Sequence, residues 1–147
     1  VDIFTTPVKL DLKLGNNISV STTITPSNDM ESALREADYI SLHVPKQEDG
    51  SAVIGEAEFN LMKNGVHIVN ASRGGVIDEN ALISALECGK VAAIALDVFE
   101  NEPNPRKDLL SNSKIACTPH IGAATLEAQD RIGTELAELI ITQFGTH

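Results

Sequence analysis

The sequence predicts a doubly wound α/β fold built on a parallel sheet, and three observations carry that prediction. Apolar, strand-like runs alternate with helix-like segments along the 147 residues. The strands are too continuously apolar to leave a wet face, which implies a sheet covered on both sides. Four of the runs also end in polar residues of catalytic type: 39–42 runs into His43, 67–71 into Arg73, 92–96 into Asp97 and Glu102, and 115–118 into His120. In such sheets the carboxyl ends of the strands share one crevice where ligands bind, so these endings mark the expected site.

Residues 1–28 carry the weakest pattern: a strand end at Val1, a Gly15-Asn16-Asn17 turn, and a β-branched run over 18–25 stopped by Pro26. Asn28 or Asp29 then caps a short helix whose Met30, Ala33, Leu34 and Ala37 fall on one face. After the strand to His43, Pro45 and the polar residues 46–50 form a loop. A helix around 56–63 packs Phe59 and Met62, and Gly65 releases the chain into the strand 66–71. Asp78 starts a helix with Ala81, Leu82, Ala85 and Leu86 on one side, ended by Gly89. The strand 92–98, an irregular loop over 101–114 and a short strand 115–118 follow. A last helix, capped by Thr125 and ended by Gly145, carries Ile132, Leu136, Leu139 and Ile140.

Composition narrows the function. Acidic residues outnumber basic ones 21 to 11, with no Lys/Arg run, which disfavours a nucleic-acid surface. No apolar stretch approaches membrane-spanning length. Cys88 and Cys117 have neither metal-knuckle nor disulfide spacing, so a reducing, cytoplasmic compartment is expected. His43, His67 and His120 lack ligand spacing, and no metal site is expected. A hydrolase is disfavoured because there is no G-x-S-x-G elbow.

The strand ends suggest an acid–base site. Arg73 stands before Gly74-Gly75, a pair that lets backbone approach a ligand closely, and its guanidinium can grip a carboxylate through two parallel hydrogen bonds. His120 sits just before a helix start and can move a proton near neutral pH. Glu102, in the loop after the preceding strand, can orient it. The set suits interconversion of a 2-hydroxy acid and a 2-keto acid, for which the hydride carrier must come from a cofactor. None of the ten glycines forms a G-x-G-x-x-G turn. Either the ligand is not a dinucleotide or the first βα unit lies before Val1.

Three ordered segments resemble the signatures of the NAD-dependent D-2-hydroxyacid dehydrogenases: Asn70-Ala71-Ser72-Arg73-Gly74-Gly75-Val76-Ile77-Asp78-Glu79, Ala95-Leu96-Asp97-Val98-Phe99-Glu100-Asn101-Glu102-Pro103, and Thr118-Pro119-His120-Ile121-Gly122-Ala123-Ala124-Thr125. The likeness runs from about His43 to the final helix and is strongest to the branch that oxidises 3-phosphoglycerate to 3-phosphohydroxypyruvate in serine biosynthesis. Glu102 speaks against the formate dehydrogenase branch, which typically has Gln there. The resemblance implies a Rossmann-like fold with NAD as cofactor and a small 2-hydroxy or 2-keto acid as partner, in a homodimer of the whole protein. Arg73 would bind the substrate carboxylate, His120 would be the acid/base, and Glu102 would pair with it. Asp2 would hold the adenosine ribose, Val44 and Pro45 would flank the adenine, and Ala71, Ser72 and Arg73 would pass the nicotinamide ribose. Asp97, His120 and Gly122 would lie on the nicotinamide side.

The resemblance also implies boundaries. Residues 1–124 would be a partial NAD-binding domain, with the first strand, its glycine turn and most of the substrate domain before Val1. Residues 125–147 would be a helix crossing back toward that domain. Losing the two central strands would split the sheet and expose unpaired edges, so the 147 residues alone should neither fold cooperatively nor bind NAD. The alternatives are another member of the family, of glyoxylate/hydroxypyruvate or D-lactate type, or an NAD-sensing corepressor-like protein without turnover.

Overall fold

Four strands make up the main sheet, and one of them, Val66–Asn70, alternates buried and exposed residues along its length. They are β3 (Tyr39–Leu42), β4 (Val66–Asn70), β5 (Val91–Leu96) and β6 (Ile115–Cys117), in the computed structural model, which describes residues 6–14 and 18–145. Ahead of them come β1 (Val8–Leu14) and β2 (Ile18–Ile24). The helices are α1 (Met30–Glu36), α2 (Glu56–Leu61), α3 (Glu79–Glu87), α4 (Lys107–Leu110) and α5 (Leu126–Phe144). Val1, Asp2 and the Gly15-Asn16-Asn17 turn lie outside the described residues.

β3 to β6 form one parallel sheet in the order β3-β4-β5-β6. Ile40, Ile68, Ile94 and Ile115 stand in one row across it, and Leu42, Asn70, Leu96 and Cys117 in the next. The helix side of the sheet holds the core, with Phe59, Met62, Leu82, Leu86 and Leu109 packed against Val66, Ile68, Val91 and Ile94. Burying such a side chain stabilises by roughly 1.5–3 kcal/mol each.

The expectation of a sheet covered on both faces does not hold for the described residues. On the opposite face Tyr39 is 79% exposed and Val69 45%. The reason is topological. The strand order runs one way, and right-handed crossovers between successive neighbours place their helices on the same side. Tyr39 and His67 stack at 5.2 Å on the uncovered face.

The 18–25 run lies outside that sheet. β2 pairs antiparallel with β1, in register from Val8 opposite Ile24 to Leu14 opposite Ile18, as a separate ribbon. Within 101–114 the chain is not wholly irregular: α4 forms there, preceded by Arg106, whose guanidinium grips Asp108 at 2.6 Å. Helix starts follow the sequence closely. Asp29 accepts from Ser32 N, Asp78 from Asn80 N and Ala81 N, and Thr125 from Ala128 N. The predicted face of α1 is less buried than its spacing implies, since Leu34 is buried but Met30 is half exposed. No residue of α5 is buried.

Candidate active site

β4 ends in a side chain that shapes everything after it. Asn70, 2% exposed, accepts at Oδ1 from Ser72 N (3.1 Å) and Ser72 Oγ (2.7 Å), and donates from Nδ2 to the Arg73 carbonyl (3.3 Å). These bonds close an Asx turn and fix the backbone of Ala71, Ser72 and Arg73. Sequence reasoning placed Asn70 in a motif without giving it a role. Its signal was a short amide at the end of a buried strand, where turn-forming side chains belong. Arg73 is exposed, and Nη1 donates to the Ser72 carbonyl at 2.7 Å. Beside it His43, Val44, Pro45, Ser72 and Arg73 line a cleft of about 330 Å³ at the ends of β3 and β4. His43 Nε2 lies 2.8 Å from Ser41 Oγ.

The first glycine after Arg73 is required by the packing of the chain itself. A Cβ on Gly74 would stand 1.8 Å from the Phe99 carbonyl oxygen, so only glycine allows these two segments to touch. Gly75, at φ +80°, lies under the Lys46 side chain.

β5 ends in Asp97, 7% exposed, whose carboxylate is a hub. Oδ1 accepts from Thr118 Oγ1 (2.6 Å) and Ile121 N (2.8 Å), and Oδ2 from Gly122 N (2.7 Å). Burial pushes its carboxyl up, but these three bonds outweigh it, and the group lies below the usual aspartate range. A Cβ on Gly122 would come within 2.8 Å of Oδ2, so glycine is what admits that bond. The Asp97 contacts tie the loop after β6 to the end of β5.

That loop presents His120 at φ +55°, an unusual conformation for a residue with a side chain. Bonds on both sides hold it there: Asp97 grips Ile121 and Gly122, and His120 Nδ1 lies 2.7 Å from Glu102 Oε2. Glu102 Oε1 accepts from Phe99 N at 2.9 Å. The His120 bond, then the Phe99 amide, hold the Glu102 carboxyl below the usual glutamate range. An ionised carboxylate only accepts, so Nδ1 carries the hydrogen and Nε2 is the nitrogen left to exchange a proton.

A second cleft, about 310 Å³, opens over β4 to β6 and is lined by Val69, Ala71, Leu96, Asp97, Thr118 and Gly122, among others. Its walls are almost wholly apolar with one carboxylate at the rim, a fit for a flat ring bearing a carboxamide such as nicotinamide. Of the residues singled out in the sequence, the structure bonds Glu102 to His120 and sets Asp97, Thr118 and Gly122 around them. It places Val44, Pro45, Ser72 and Arg73 along the adjoining cleft, with no bond from Arg73 to the Glu102–His120 pair. Asp2 lies outside the described residues. A larger cleft of about 510 Å³ lies away from the strand ends, between α2 and α3. Its lysine, Lys90, is spent on the Met62 carbonyl. Among the described residues no cluster could hold a metal ion, and no helix is long and apolar enough to cross a membrane.

Comparison with known proteins matches residues 13–122 to the model of the D-isomer specific 2-hydroxyacid dehydrogenase, NAD binding domain. The hydroxypyruvate reductase of Thermotoga maritima is 48% identical over 120 residues, covering 80% of this chain and 39% of that protein. The D-3-phosphoglycerate dehydrogenase of Archaeoglobus fulgidus is 46% identical over 114 residues, covering 77% of this chain and 22% of its own length. Among solved structures, the holo form of Rhodotorula graminis D-mandelate dehydrogenase superposes with a TM-score of 0.71 at 35% identity, covering 80% of this chain and 34% of that one. The chain thus spans well under half the length of these relatives.

Proposed function

This chain belongs to the D-isomer specific 2-hydroxyacid dehydrogenase family, and from that premise we propose that it forms the acid–base half of an NAD-dependent dehydrogenase site. Residues 1–124 belong to the NAD-binding domain, and α5 (Leu126–Phe144), within the segment 125–147, leads toward a substrate domain. The observation that carries the reading is the 2.7 Å bond between His120 and Glu102 at the strand ends, beside the Arg73 turn.

In this reading NAD, when bound, would supply the hydride exchange at C2 of the hydroxy acid that no side chain of this chain can provide. The residues of this chain do the rest. Arg73 grips the substrate carboxylate with its planar fork and polarises the group being reduced. His120 Nε2 removes the hydroxyl proton in oxidation and supplies it in reduction. Glu102 holds the tautomer and balances the imidazolium charge. Ala71, Asp97, Thr118 and Gly122 would hold the nicotinamide, Ala71 to Arg73 its ribose, Val44 and Pro45 the adenine, and Asp2 the adenosine ribose. Water is kept from the transfer by the apolar walls over β4 to β6.

For the substrate, 3-phosphoglycerate is the reading supported by the likeness to D-3-phosphoglycerate dehydrogenases. The 48% identity to a hydroxypyruvate reductase favours the second reading, a glyoxylate/hydroxypyruvate enzyme. A soluble, cytoplasmic homodimer belongs to the same proposal. The test is oxidation of 3-phosphoglycerate, glycerate and D-lactate by the intact protein that carries this chain. We expect the highest kcat/KM with 3-phosphoglycerate. A preference for glycerate selects the second reading, and no turnover with any 2-hydroxy or 2-keto acid overturns both.

A further inference from the structure

Glu79, the first residue of α3, is 4% exposed, a burial that carboxylates rarely adopt without full pairing. Its Oε1 accepts from Glu100 N at 2.8 Å, and in return Glu100 Oε1 accepts from Glu79 N at 3.1 Å. Each carboxylate thus caps the other's backbone across 21 residues of sequence. Glu100 thereby satisfies an amide that the start of a helix leaves without an intrahelical partner. Glu79 Oε2 is buried with no partner among the described residues. Burial, with the Glu100 and Asp108 charges and against the Glu100 amide and Arg106, pushes its carboxyl above the usual glutamate range. Arg106, the nearby cation, spends its bonds on Asp108 and Asn80.

Packing alone does not account for a carboxylate here. An apolar side chain would fill the space without an orphaned oxygen, whose desolvation opposes folding. What the carboxylate does is grip the loop that carries Glu102. Glu100 is two residues from Glu102. Phe99, one residue earlier, bonds Glu102 Oε1 through its amide and lies against Gly74 through its carbonyl. Gly74 follows Arg73 directly.

Resting on the dehydrogenase reading above, we infer that Glu79 is a positioning residue for the acid–base pair: with Glu100 it forms a two-way latch that fixes the loop bearing Glu102 against the start of α3. The latch holds the loop bearing Glu102 in place where Phe99 meets Gly74. When it opens, Glu102 loses its fixed distance to His120.

The experiment uses the intact protein and compares wild type with Glu79→Ala, Glu79→Gln and Glu100→Ala, alone and combined with Glu102→Gln. Glu79→Ala should lower kcat on the order of ten- to a hundredfold with little change in KM, because the misplaced group acts on the proton and not on binding. The titration midpoint of the His120 ring, followed by NMR without substrate or NAD, should fall in the same variant, since a loosened carboxylate supports the imidazolium less. Glu79→Gln keeps the acceptor oxygen and should recover most of kcat. Glu100→Ala, on the exposed side of the latch, should give a smaller loss in the same direction. In the Glu102→Gln background Glu79→Ala should add little. The inference is overturned if Glu79→Ala only lowers the melting temperature while kcat and the His120 midpoint stay put, or if its full loss persists in the Glu102→Gln background. If Glu79→Ala does not fold, an unmoved midpoint in Glu100→Ala overturns it. Loss of the dehydrogenase reading is distinguishable, because it shows as absent wild-type turnover while the NMR comparison still reads the latch.

Discussion

The two ends of the candidate site are built differently. On the β5–β6 side Asp97, Glu102 and His120 are all tied down. Asp97 takes three hydrogen bonds, Glu102 takes one from Phe99 and shares one with His120, and a left-handed histidine is held from both flanks. On the β3–β4 side the rigidity lies in the backbone, through Asn70, while the Arg73 side chain is exposed and bonds the carbonyl beside it. The difference matches the two tasks proposed for them. A proton-transfer group loses rate steeply when misplaced, whereas a cation that meets an anion from solvent needs its base fixed and its head free.

That contrast predicts a ranking of effects, all measured in the intact protein. Replacing the tied-down group itself should do most: His120→Gln should cut kcat by roughly 10²- to 10⁴-fold while NAD binding, measured by calorimetry, is retained. Near-normal kcat would break the contrast at its firm end. Arg73→Lys keeps the charge but loses the fork, a charged hydrogen bond of about 1.5–3 kcal/mol. KM for the acid should rise and kcat fall, with NAD affinity little changed. Unchanged kinetics would remove Arg73 from the site.

Asn70→Ala sharpens the comparison at the backbone. It should destabilise by about 1–3 kcal/mol, because it leaves a buried turn without its partners. It should raise KM more than it lowers kcat, since it loosens the Arg73 side alone. A kcat loss as large as the KM change would mean that the two ends are coupled through β4. The smallest expected effect is in acid. The Asp97 carboxyl is lowered in the folded state, so its contribution is complete above the ordinary aspartate range near pH 4 and fades as pH falls through the folded value. Asp97→Asn should therefore melt below wild type at neutral pH, and the gap should narrow below about pH 4. A gap that stays constant with pH would show that charge plays no part in pinning the His120 loop.

The parts of the molecule legible in the sequence are those fixed by local rules. Capping residues located the starts of α1, α3 and α5, and strand endings located His43, Arg73, Asp97 and His120, because both are set within a few residues. The uncovered sheet face was not legible. Its residues alternate, as Tyr39, Ser41, His67 and Val69 do against Ile40, Leu42, Ile68 and Asn70, but which face lacks helices depends on strand order. The β1–β2 ribbon was missed although Val8, Leu10 and Leu12 alternate with Lys9, Asp11 and Lys13, because the chain's expected class called for parallel strands. In the site, the Glu79–Glu100 exchange and the Gly74–Phe99 contact join residues more than twenty apart and leave no mark on periodicity. Asn70 was visible as a residue but not as the clamp of its own turn.

The central claim is that Glu102 and His120, 2.7 Å apart, form the acid–base centre. It is tested most directly by kcat/KM against pH, in both reaction directions, for wild type and Glu102→Gln. A carboxylate favours the charged imidazolium, so its removal favours the neutral ring. For keto-acid reduction, which needs the proton, the alkaline limb should move to lower pH in the variant. For hydroxy-acid oxidation, which needs the neutral base, the acidic limb should move the same way. A displacement of about one pH unit corresponds to roughly 1.4 kcal/mol of lost preference for the charged form. Limbs that stay in place in both directions would contradict the account, and the pair would then be a structural contact rather than the acid–base centre.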